Sequence, residues 1–252
     1  MFIFHVIDMN HANPNTKAIK ILGLLLLTVA GLFSFENKFL VPSARGETIS
    51  FYQKIPWYDK IILLVDDFEG LQGDSASMEK EKFFRYGSIQ LSIDSSLPDQ
   101  SMIASRTSVK VKWNGEKNYG GWGKGIGKNI NLECATDHLN FRIYTPECAR
   151  DKDIIRVLFQ EDDNNDGFLQ EDKDDIWSKT IVVPCRSEWQ LISIPLKDFT
   201  DINSGGDGEL NVTRKGGLHN IIFSFEQAGK YSSNDCWYFD FVCFTKGEPG
   251  TI

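Results

Sequence analysis

From residue 61 onward the apolar residues of this chain return at every second position, a period that a β-strand satisfies and a helix cannot. Val109, Val111 and Trp113 alternate with Lys110 and Lys112, and Leu139, Phe141 and Ile143 alternate with Asn140, Arg142 and Tyr144. Each of these segments has one dry face and one wet face.

Ile61 to Val65 opens the strand-like region. Gly87 to Ile93, Ile154 to Gln160, Asp175 to Val183, Glu188 to Leu196, Leu218 to Gln227 and Cys236 to Thr245 continue it, separated by clusters of Gly, Asn, Asp and Pro. The count comes to about eight to ten strands. After residue 70 only Met78 to Phe84 is rich in helix formers, which disfavours a parallel sheet built from βαβ units. The expected fold is therefore all-β: one antiparallel β-sandwich of the jelly-roll type, over residues 61–246, followed by a tail at 247–252. No repeat or low-complexity linker divides that span, and about 185 residues suits one domain.

With 41% apolar and 12% aromatic residues, a chain of 252 residues can enclose a core without staples. Lys and Arg number 27 against 35 Asp and Glu, a net charge of -8. That is the wrong sign for a phosphate backbone or an anionic membrane surface, so nucleic acid is excluded as a partner class. The five cysteines, Cys134, Cys148, Cys185, Cys236 and Cys243, include no CxxC pair and no spacing suited to zinc. One or two disulfides, or five small apolar packers, remain alternative readings.

Residues 1–44 read as an export segment. Lys17 and Lys20 precede Ile21 to Phe35, an uncharged run of 15 residues with the length of a signal-peptide core and short of a bilayer span. Cleavage after Ala44 and retention as a membrane anchor are both open, as is a start at Met9 instead of Met1. A buried core helix ranks third, since four consecutive leucines leave no polar face. Residues 45–60 then form a linker. The expected location is secreted, periplasmic or cell-surface, and any membrane contact runs through this segment alone.

Catalytic signatures are missing. His138 and His219 are the histidines left outside the leader, and no G-x-S-x-G elbow, Walker loop or H-E-x-x-H occurs. The expectation is a non-enzyme. A glycosidase using two carboxylates from distant strands is a minority reading, because such a pair leaves no spacing to detect.

Three segments carry a resemblance: Asp66-Asp-Phe-Glu-Gly70, Trp189 to Phe199, and Tyr238-Phe-Asp-Phe-Val-Cys-Phe244. Together they resemble the galactose-binding-domain-like jelly rolls. Within that group the pattern is similar to carbohydrate-binding modules of family 11 and to the sandwich of the complex I intermediate-associated protein 30 family. The latter shares a stretch like Tyr119-Gly-Gly-Trp-Gly123. The resemblance implies a structural calcium between the first and last strands, which would fall to Asp67, Glu69 and Asp240; hard oxygen ligands suit that ion. Asp240 lies in an otherwise apolar strand, where an unpaired carboxylate is costly.

A second calcium candidate comes from the residues themselves. Eight acids and one lysine occupy residues 161–175, and Asp162, Asn164 and Asp166 stand at EF-hand positions 1, 3 and 5, with Gly167 at 6. Position 12 is Lys173 instead of a bidentate acid, so a complete EF-hand is ruled out. A looser calcium loop and a plainly solvated acidic stretch are equal readings.

If the ligand is a polysaccharide or other glycan, its ring faces need flat aromatics beside polar side chains. Tyr119, Trp122 and Trp177 are the candidates, with Trp122 expected in a loop or bulge because glycines flank it. Trp113 and Trp189 are assigned to the core. The competing function is a structural or protein-interaction sandwich with no glycan ligand.

Overall fold

The period-two segments form strands, and at residues 87–88 a glycine and a buried serine divide one of them in two. The computed structural model of the chain describes residues 40–42, 48–50, 57–71, 73, 75–99, 101, 105–146, 151–210, 217–225 and 231–249. In order they form β1 (Leu40–Pro42), β2 (Thr48–Ser50), β3 (Ile61–Asp66), α1 (Ser75–Lys80), β4 (Phe83–Gly87), β5 (Ile89–Asp94), β6 (Ser108–Trp113), β7 (Gly120–Lys128) and β8 (His138–Tyr144). There follow β9 (Lys152–Glu161), β10 (Ile176–Pro184), β11 (Trp189–Pro195), β12 (Thr200–Asp201), β13 (Leu218–Phe225) and β14 (Cys236–Thr245). The apolar run 21–35 and the proposed cleavage position lie outside the described residues. Among the described residues no helix is long and apolar enough to cross a membrane.

Two antiparallel sheets face each other. Sheet I has the order β12-β10-β9-β13-β7-β4, and sheet II the order β11-β8-β14-β6-β5, with β3 also paired to β14. The expected strand over 87–93 is in fact the junction of two. Gly87, with φ +64°, ends β4 in sheet I, and a Cβ there would run into the Tyr119 carbonyl. Buried Ser88 then donates its hydroxyl to the Lys117 carbonyl, and β5 begins in sheet II.

Between the sheets lies an aromatic core. Trp122 stacks on Phe223 at 4.8 Å, Phe159 on Phe199 at 4.3 Å, and Phe225 sits 4.3 Å from Trp237. Burying each such side chain stabilises by roughly 1.5–3 kcal/mol. Trp113 belongs to this core, as the alternation predicted. Trp189 does not: it is half-buried on the outer side of sheet II, 5.8 Å from Tyr144, because it has the same parity as Leu191 and the opposite parity to buried Ile194.

A β-bulge in β14 lets one strand serve two clusters. Trp237 and Phe239 point into the main core; the register then shifts between Asp240 and Cys243, Phe241 takes φ +47°, and Val242 and Phe244 point inward instead. Phe241 and Cys243 are thereby turned to the far side of sheet II, where they pack with Trp57, Tyr58, Ile61 and Leu64. Buried packing among the described residues therefore reaches back at least to Trp57, four positions before the expected domain start, and the β1–β2 pair, Leu40 to Pro42 against Thr48 to Ser50, lies earlier still, across the expected leader and linker. Cys134, Cys236 and Cys243 are in no disulfide, and Cys148 lies outside the described residues.

Candidate functional site

The outer face of sheet I is built by parity. Ile155, Val157 and Phe159 of β9 point into the core, so Ile154, Arg156, Leu158 and Gln160 point out. In register beside them on β13 stand Asn220, Ile222 and Ser224, then Gly125, Gly123 and Gly121 on β7. Three alternate glycines leave no side chains on the outer face of a central strand. Phe84 and Tyr86 of the edge strand β4, in register with Gly123 and Gly121, fill that space. A Cβ at residue 123 would lie 2.5 Å from the Phe84 ring and 2.6 Å from the Ile221 carbonyl oxygen.

The result is a band of outward-facing residues along β13 and β7, flanked by rings on one side and polar side chains on the other. Ile222 and Ser224 are buried although they face outward. On one side stand the partly exposed rings of Phe84 and Tyr86, with Tyr119 at 6.5 Å from Tyr86. On the other stand Arg156 and the amide pair in which Asn220 Nδ2 donates to Gln160 Oε1 at 2.7 Å. Aromatic faces beside guanidinium and amide groups are what a sugar ring with its hydroxyls needs.

Of the three aromatic candidates from the sequence, Tyr119 alone is at this surface, 51% exposed. Trp122 is 1% exposed and central to the core, contrary to the loop position its flanking glycines suggested. Those glycines belong to the opposite face of β7, and Trp122 takes the inner one. Trp177 is buried as well, its indole N–H donating to Glu161 Oε2 at 3.1 Å. Sequence reasoning missed Phe84, Tyr86, Arg156, Gln160 and Asn220. The signal for them was the alternation of Gly121, Gly123 and Gly125 with Trp122, Lys124 and Ile126, which marks a strand with one bare face.

Asp67, Glu69 and Asp240 fall at the end of sheet II nearest the bulge. Glu69 Oε1 accepts the backbone N–H groups of Arg106 and Thr107 at 2.5 and 3.0 Å, and so ties down that segment. Asp240 is buried; it accepts from Ser105 Oγ at 2.7 Å and from the Phe241 N–H at 2.7 Å. Burial pushes its carboxyl well above the usual range, and the neighbouring Asp99 and Asp67 carboxylates add to the rise against those two hydrogen bonds. Asp99 itself is held by Arg142 Nε at 2.5 Å.

In the acidic loop the EF-hand-like side chains are turned onto their own backbone. Asp162 accepts from the Asp166 and Gly167 N–H groups at 3.2 and 2.9 Å, Asn164 Oδ1 from Asp166 at 2.9 Å, and Asp166 from Phe168 at 2.9 Å. A different trio converges: among the described residues, Glu161, Asp163 and Asp175 each bring a carboxylate oxygen within 4.8 Å of the other two.

His138 Nδ1 lies 3.0 Å from Ser193 Oγ across β8 and β11. No carboxylate is bonded to that imidazole among the described residues, so the pair lacks the orienting acid of a hydrolytic triad.

No protein-family model matches the chain, and no curated protein matches it significantly. Solved structures do. A family 11 carbohydrate-binding module from Clostridium thermocellum, in complex with a β-1,3-1,4-mixed-linked tetrasaccharide, has a TM-score of 0.49 at 16% identity, covering 74% of this chain and 96% of that one. A family 30 carbohydrate-binding module has a TM-score of 0.45 at 15% identity, covering 65% and 91%. An exo-β-agarase has a TM-score of 0.48 at 12% identity, and the match spans 74% of this chain and 25% of the enzyme. The likeness is one of fold.

Proposed function

We propose that this chain is an exported, non-catalytic glycan-binding sandwich whose ligand lies along the band on the outer face of sheet I. The observation that carries this reading is the row Gly121, Gly123 and Gly125, which lets Phe84 and Tyr86 lie across β7 facing Arg156, Gln160 and Asn220. Such a band offers ring faces for stacking and fixed polar groups for hydroxyls. Export is supported by the uncharged run at 21–35 after two lysines. Calcium is kept in this reading as a structural ion, not as a contact to the ligand.

Calorimetric titration with mixed-linked β-glucan oligosaccharides, the ligand class in the family 11 complex, tests the proposal, with an array of other glycans run beside it. Binding should fall by about tenfold or more in Tyr86→Ala and Arg156→Ala, a loss of at least about 1.4 kcal/mol. Binding that survives both substitutions overturns this placement of the ligand.

The second reading, a structural or protein-interaction sandwich, is favoured by the burial of Trp122 and Trp177. Absence of binding to every glycan on the array would support it.

A further inference from the structure

Glu161 closes β9, and Asp175 stands opposite it just before β10, where the Asp175 carbonyl accepts the Glu161 N–H at 3.0 Å. Two residues into the loop, Asp163 Oδ2 accepts the Asp175 N–H at 2.9 Å. The three side chains meet under the loop and are all buried. A carboxylate so placed costs free energy unless a positive charge answers it.

Asp175 shows that the set is incomplete. It is 0% exposed, and its Oδ2 accepts the Gly208 N–H at 2.9 Å. Its Oδ1 is buried and has no hydrogen-bond partner among the described residues, and no basic side chain pairs with it there. That oxygen borders the Asp163 carboxylate, whose Oδ2 lies against the same Gly206 backbone, and a carboxylate oxygen of Asp175 comes within 4.8 Å of one from each of Glu161 and Asp163. Gly206 approaches so closely that a Cβ would collide with Asp175 Oδ1 and lie 2.5 Å from Asp163 Oδ2, which brings backbone of the 203–208 segment alongside.

We propose that Glu161, Asp163 and Asp175 bind a hard divalent cation, calcium, that ties the β9–β10 loop to the segment around Gly206. Three carboxylates with neither histidine nor cysteine form an all-oxygen donor set, the kind calcium takes and zinc disfavours. Surrounding groups prepare the site. Asp174 accepts the Asp163 and Gln170 N–H groups at 3.1 and 2.6 Å, which shapes the loop, and Trp177 orients Glu161 from behind. The cation would be structural, remote in role from the glycan face, and the proposal stands whether or not that face binds sugar.

Terbium, a luminescent calcium surrogate, tests this on the full-length chain, because Trp177 touches one of the three ligands and would sensitise its emission. Tryptophan-excited terbium emission should appear, be displaced by calcium, and drop severalfold at saturating terbium in Trp177→Phe. Asp175→Asn should weaken calcium binding by about tenfold or more, whereas Asp166→Ala, in the exposed loop, should leave it unchanged. In chelator, Asp175→Asn should melt no lower than the parent, since it removes a buried charge. In calcium it should show none of the parent's upward shift. Emission indifferent to Trp177, or calcium binding lost in Asp166→Ala and kept in Asp175→Asn, overturns the proposal.

Discussion

Lys124 on β7 and Asp66 on β3 form an ion pair inside the sandwich, one side chain from each sheet, with 3% and 1% of their side chains exposed. Lys124 Nζ also sits 4.3 Å over the Phe83 ring, and Asp66 Oδ1 accepts the Phe68 N–H at 2.6 Å. The first acid of the Asp-Asp-Phe-Glu-Gly segment thus joins the two layers, while Asp67 accepts the Glu69 N–H in the turn that follows and Glu69 holds the backbone of Arg106 and Thr107.

Breaking that pair from one side leaves a buried charge. Lys124→Met is expected to cost about 3–5 kcal/mol, and combining it with Asp66→Asn should cost clearly less than the two single changes added together. Urea unfolding of the four proteins in the cycle measures the coupling; strict additivity would mean the pair contributes nothing.

Filling the bare stripe should damage fold and face together. Gly123→Ala places a methyl 2.6 Å from a backbone carbonyl that cannot swing away, so a loss of about 1–3 kcal/mol is expected. Phe84 must also shift, so any glycan affinity should fall in parallel. A thermal melt and one titration read both.

Trp122→Phe separates core from surface. Its ring packs between Phe223, Phe239 and Phe68, so the smaller residue should lower stability by about 1–3 kcal/mol and leave glycan affinity of the folded protein unchanged. An affinity loss without a stability loss would return Trp122 to the ligand surface.

Asp240 should make stability depend on pH. Its carboxyl is raised in the folded protein, so above the ordinary aspartate value of about 3.9 the native state holds a proton that the unfolded chain has released. The resulting contribution is complete below that value and is lost as pH climbs through the raised one. In chelator, from about pH 5 to about pH 9, Asp240→Asn should lose this decline and be the more stable protein at the alkaline end. Parallel pH profiles for the two proteins would show that Asp240 does not carry the effect.

Much of this architecture was legible in the sequence because period-two segments such as Val109 to Trp113 and Leu139 to Ile143 report their own inward faces. The surface band was not. Gly121, Gly123 and Gly125 carry no hydropathy, so a strand whose outer face is bare read as a glycine loop around Trp122. The acidic trio escaped for another reason. Asp162, Asn164 and Asp166 match a linear pattern, whereas Glu161, Asp163 and Asp175 come together only once β9 and β10 are paired in the register that sets Ile176 against Gln160. Trp189 was misassigned because an apolar neighbourhood cannot say which side of a sheet a residue takes.

The place of β14 between β8 and the strands β3 and β6 has a temporal side. Thr245 is the partner of Ile61, and Phe239 the partner of both Val109 and Ile143. Contacts of such long range form slowly. Sheet II therefore has no middle until synthesis has passed residue 245, and the earlier strands must wait without it. Until β14 arrives, the β14-facing edges of β3, β6 and β8 stay unpaired, and unpaired edges are where a chain takes wrong partners.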